Sequence, residues 1–143
     1  MSARGRVVVV CDDLFFRVHL EARVRASGLE PVGVGTKKGL EAALAPSEPV
    51  SPEPPLPRAG IVDLHLQSGE AIEIISRLAA LRPGMPILAF GAHVERDTLD
   101  RARRAGAVAL PRSRFVREFP ALMGKIAMGT WSMTETAPES EPK

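Results

Sequence analysis

The chain has 143 residues, with one cysteine, one tryptophan and no tyrosine; aromatic residues make up 4% of it. A lone cysteine, Cys11, excludes an internal disulfide and a cysteine metal cluster. At the end of an apolar run it reads as a buried, inert thiol. With so few rings, the core falls to Val, Leu, Ile and Ala. No apolar run approaches the roughly 20 residues of a membrane-spanning helix. The four valines at 7–10 are too short a run for the centre of a signal peptide, so a cytoplasmic protein is expected. The net charge of +2 is small but unevenly spread. Between Arg96 and Arg117 stand seven arginines against two aspartates, whereas Thr130–Lys143 holds three glutamates and one lysine.

What the chain does have is three carboxylates at the ends of apolar runs. Asp12 and Asp13 follow Val7–Val10, and Asp63 follows Gly60-Ile61-Val62. Burying an unpaired charge is costly, so packing alone does not put acids there. The runs are continuous and β-branched, as in strands of a parallel sheet covered on both faces. Strands are expected at 6–10, 31–35, 59–62, 86–90 and 107–110. The helices between them begin near Leu14, with Leu14, Val18, Ala22 and Ala26 as one apolar row, and near Thr36, a residue suited to capping. A third is capped by Ser68, with Ala71, Ile72, Ile75, Leu78 and Ala79 inward. A fourth, basic helix spans 97–104. A last one starts at Pro120, a favoured first-turn residue, and ends about Met128. Length allows one domain, here residues 1–128, with a proline-rich loop at 46–57 and a disordered acidic tail at 129–143. Alternating strands and helices predict an α/β, flavodoxin-like (βα)5 fold: a doubly wound parallel five-stranded sheet of order 2-1-3-4-5. That order places Asp12, Asp13 and Asp63 together at the switch point where ligands bind. Capping of the first helix explains one of the two adjacent aspartates, but not the pair with a third acid.

These elements resemble the receiver domain of bacterial two-component response regulators. The resemblance rests on Val-Val-Val-Val-Cys-Asp-Asp at 7–13, Ile-Val-Asp-Leu-His-Leu at 61–66, Gly69, Pro-Ile-Leu-Ala-Phe-Gly-Ala-His at 86–93 and Ala-Gly-Ala-Val-Ala-Leu-Pro-Arg-Ser at 105–113. It implies Asp63 at the phosphoacceptor position, and Mg²⁺ held by Asp12, Asp13 and Asp63 with the backbone carbonyl of His65. It also implies a histidine kinase among the partners. The departures are informative. The hydroxyl residue after the fourth strand is replaced by Gly91, the aromatic switch residue of the fifth by Ala109, and the lysine at its end by Arg112 or Ser113. Loss of one hydrogen bond to a charged group is worth roughly 1.5–3 kcal/mol, enough to abolish a switch of a few kcal/mol.

The expectation is a stand-alone, atypical receiver (a pseudo-receiver) that binds a protein and is not switched by conventional phosphorylation. The expected docking surface is the face of helix 4, strand 5 and helix 5, through Arg101, Arg103, Arg104, Arg112, Arg114 and Arg117. Its partner is a signalling protein, acidic by charge complementarity, and the same face would carry a homodimer. The chain is too short for a DNA-binding helix-turn-helix after this domain. One rival reading is a response regulator that accepts phosphate at Asp63. A more distant one is a small metal-dependent phosphotransfer enzyme, for which the sequence shows no general base. His19 reads as surface, and His65 and His93 as polar rim residues rather than zinc ligands.

Overall fold

The computed structural model describes residues 5–45 and 56–131. Most of the proline-rich stretch and all but the first residues of the tail therefore lie outside the described residues. Five strands and five helices alternate: β1 (Arg6–Val10), α1 (Leu14–Ala26), β2 (Glu30–Val34), α2 (Lys37–Leu44), β3 (Ala59–Asp63), α3 (Ala71–Ala79), β4 (Ile87–Gly91), α4 (Arg96–Ala105), β5 (Val108–Pro111) and α5 (Arg112–Met128). The sheet is parallel with order β2-β1-β3-β4-β5, as expected. Pro31, which has no N–H to give a ladder, sits in the edge strand β2.

Strand residues alternate between two cores, because helices cover both faces. Val8, Val10, Val62, Ile87, Ala89 and Ala109 pack with α2, α3 and α4. Val7, Val9, Ile61, Leu88, Phe90 and Leu110 pack with α1 and α5. Gly60 lets α3 approach β3 closely, since a β-carbon there would stand 2.7 Å from Leu78 Cδ1.

The sequence-based reading needs correction at three helices. The row Leu14, Val18, Ala22 and Ala26 lies in solvent, and α1 instead buries Leu20 and Val24, with Phe16 partly covered. Both rows have i, i+4 spacing; the second wins because it alone faces Phe90 and α5. α5 begins at Arg112, not Pro120, which is carried inside the helix. An internal proline costs about 3 kcal/mol, but the continuous row Phe115, Phe119, Leu122, Met123 and Ile126 is buried. Each such side chain contributes about 1.5–3 kcal/mol, so together they outweigh the break. Ser68 does not cap α3; the N-cap is Glu70, which makes no side-chain cap bond. Its carboxylate instead accepts from the Lys37 N–H (2.8 Å) at the start of α2. Thr36 does cap α2, accepting from the Gly39 N–H at 3.0 Å. Beyond α5, Gly129 takes the left-handed conformation, the Thr130 N–H returns to the Lys125 carbonyl at 2.9 Å, and Trp131 packs on the α1–α5 core. The packed unit thus runs past Met128.

Candidate functional site

Val10 is in register with Val62, and Asp63 with Phe90, so the acids project from adjacent strand ends into one crevice. Each carboxylate is already engaged by the chain. Asp13 caps α1, its Oδ1 accepting from the Phe16 N–H at 3.2 Å. Asp12 Oδ2 accepts from the Gln67 N–H at 2.8 Å, crossing from the β1–α1 loop to the β3–α3 loop. Asp63, 4% exposed, accepts from the His65 N–H at Oδ1 (2.8 Å) and from the Cys11 thiol at Oδ2 (3.6 Å). Burial, with the nearby carboxylate adding to it, pushes the Cys11 thiol up to about 12. It is therefore a protonated donor at neutral pH.

The resemblance implies Mg²⁺ here, which requires carboxylate oxygens converging on one point. Among the described residues no group of three or more His, Cys, Asp or Glu side chains is arranged to hold a metal ion. Asp13 turns to its helix and Asp12 to Gln67. As arranged, the three acids do not fit a shared ion, and no chemical step is derived through one.

The other half of the crevice lacks polar equipment. A β-carbon on Gly91 would lie 3.2 Å from Leu64 Cδ1 and 3.3 Å from Leu64 Cβ. Leu64, whose N–H bonds the Phe90 carbonyl at 2.9 Å, thus crowds the start of any side chain at 91 and would have to shift by a few tenths of an ångström to admit one. Ala109 is buried opposite Ala89, and its carbonyl accepts from Arg103 Nη2 at 2.8 Å. Arg112 is the residue that follows β5 and opens α5. Its guanidinium lies 4.0 Å over the Phe16 ring and 5.8 Å from that of Phe90. It is stacked on aromatic faces rather than paired with the acids.

The expected basic face is divided. Arg103 is held by Asp100 and Ala109, Arg114 pairs with Glu118, and Arg112 covers Phe16. Arg101 and Arg104 on α4, and Arg117 on α5, remain exposed. His65 Nε2 meets Glu95 Oε1 at 2.9 Å, tying the β3–α3 loop to the start of α4, whereas His93 and His19 are exposed.

Sequence reasoning missed Leu64, Gln67 and Glu95. Leu64 was legible as a large residue directly after Asp63, but its partner Gly91 is distant in sequence. It also missed the solvent-facing apolar row of α1: Leu14 is 62% exposed, Phe15 89% and Val18 63%, with Val116 of α5 nearby in chain packing. Beside them Phe16, Leu20, Phe115, Val116 and Phe119 line a groove of about 200 Å³ between α1 and α5.

No protein-family model matches the chain, and no curated protein matches it. Solved structures do. A CheY-like response regulator receiver domain protein from Methanospirillum hungatei superposes with a TM-score of 0.65 at 17% identity, over 89% of this chain and 99% of that one. A response regulator receiver protein from Pseudoalteromonas atlantica gives 0.69 at 14% identity, over 88% and 99%. The beryllofluoride-activated NtrC4 receiver domain dimer gives 0.66 at 19% identity, over 88% and 98%. The fold is that of a response regulator receiver domain. Among the described residues, no helix is long and apolar enough to cross a membrane.

Proposed function

We propose that this chain is a receiver-fold interaction module of bacterial signalling that docks a protein partner without a conventional phosphorylation switch. It is a binding module rather than an enzyme. The observation that carries the reading is Gly91 at the position of a phosphoryl-binding hydroxyl, with Leu64 Cδ1 3.2 Å from where a β-carbon there would lie. Ala109 and the ring-stacked Arg112 support it, because neither the aromatic nor the lysine contact of a receiver switch is available. Exposed apolar surface next to polar surface marks protein contact, and here Leu14, Phe15 and Val18 supply it. α1 also carries the exposed Arg23 and Arg25, and Arg117 of α5 is exposed, so the partner is acidic around an apolar centre. Arg101 and Arg104 on α4 are exposed and offer a second contact face, where a homodimer would also form.

The test has two parts. Beryllofluoride with Mg²⁺, an acyl-phosphate mimic, is added while chemical shifts of β4, β5 and α4 are followed; these are expected to stay in place. Large shifts there would defeat the reading in favour of a working phosphoacceptor at Asp63. Capture of a partner from lysate is expected to survive Asp63→Asn and to be lost in Phe15→Glu/Val18→Glu. Loss in Arg101→Glu/Arg104→Glu instead would move the docking site to α4.

A further inference from the structure

We infer that the acidic crevice is a metal-free clasp, in which Asp12 and Asp63 serve as hydrogen-bond acceptors that lock the loops at the carboxyl edge of the sheet in one arrangement. The inference deepens the interaction-module reading. The two stand or fall on different measurements.

Asp12 Oδ2 takes the Gln67 N–H at 2.8 Å and so joins two loops 55 residues apart in sequence. Asp63 takes the His65 N–H on one oxygen and faces the Cys11 thiol with the other. The chain of contacts continues from the His65 ring to Glu95 at the N-cap of α4. Asp13 is occupied separately as the cap of α1. The β1–α1, β3–α3 and β4–α4 loops are therefore tied by protein donors. Each of the three acids thus gives one oxygen to a backbone N–H: Asp12 to Gln67, Asp63 to His65 and Asp13 to Phe16. A hydrogen bond from N–H to carboxylate needs an acceptor oxygen, and a neutral amide oxygen offers one too. Mg²⁺ affinity instead depends strongly on the charge of its carboxylate ligands, which an amide oxygen does not replace. This difference separates the two roles of Asp12. The clasp would hold the start of α1, with its exposed apolar row, and the start of α4 in fixed positions, and preorganised surfaces bind without an ordering cost.

The experiment is amide hydrogen exchange and chemical-shift mapping on the full chain, with Asp12→Asn and Asp12→Ala. Without Mg²⁺, the Gln67 amide is expected to be protected in the wild type and in Asp12→Asn. It should lose protection about tenfold in Asp12→Ala, as for a hydrogen bond to a charged group. Adding millimolar Mg²⁺ should leave the Gln67 and His65 amides where they are. If Asp12→Ala fails to fold, the wild type and Asp12→Asn carry the test alone. Saturable Mg²⁺ shifts at these amides that vanish in Asp12→Asn would overturn the inference. So would equal loss of Gln67 protection in Asp12→Asn and Asp12→Ala. Neither result bears on partner capture, which the Phe15→Glu/Val18→Glu pair tests by itself.

Discussion

The two halves of the crevice are built from opposite chemistry. At the ends of β1 and β3 the acids remain, and each is bonded to the chain within 3.6 Å. At the ends of β4 and β5 stand Gly91, a buried alanine and an arginine laid on a ring. Carboxylates can be kept for structure because backbone N–H groups use them. At the ends of β4 and β5 the side chains are used for packing instead: Ala109 lies in the core and Arg112 covers Phe16. Acids at strand ends can thus be held by hydrogen bonds to the chain, whatever stands on the opposing wall.

The largest effect is expected from dismantling the apolar wall. Phe90 lies edge-on to Phe16 and stacked on Phe115. Phe90→Ala should cost about 3–5 kcal/mol in urea unfolding. A result under 1 kcal/mol would mean the wall is not a core element. Next is an attempt to rebuild the missing hydroxyl. Gly91→Thr should destabilise by about 1–3 kcal/mol through contact with Leu64. Leu64→Ala should couple to it by about 0.5–3 kcal/mol in a double-mutant cycle, and additivity would show that the two do not compete for space. Arg112→Ala should cost about 0.5–1 kcal/mol, the worth of an exposed cation–π contact, with the loss read from thermal melts at two salt concentrations. Smallest is Cys11. With its thiol held near 12, it should resist thiol reagents at pH 8 until the protein unfolds. Its raised value also means that stability present below the unfolded thiol's ordinary range is lost as pH rises toward 12. Rapid native labelling would show that the thiol is not buried against Asp63.

Much of the fold was legible because β-branched runs ending in acids mark buried parallel strands, and all five strands fall within a residue of expectation. Helix faces were harder. α1 carries two apolar rows of the same spacing, and only tertiary packing against Phe90 and α5 chooses between them. Local chemistry made Pro120 a helix start, but it lost to five buried side chains on one stripe. In the crevice, the acids and the missing hydroxyl were visible as residue types. What Arg112 touches depends on Phe16, 96 residues earlier, and what occupies the space at Gly91 depends on Leu64. No spacing rule carries such pairings.

Ala109 sits against Ala89, with Leu99 and Ala102 of α4 in the same core. Methyl-sized residues on both strands thus meet Leu99 and Ala102 in one buried layer. Putting a bulky ring back at 109 would meet a full interior, just as a threonine at 91 meets Leu64. Neither replacement alone would therefore come without a loss of packing. The wall therefore takes a larger side chain at 91 or 109 only if its neighbours change along with it.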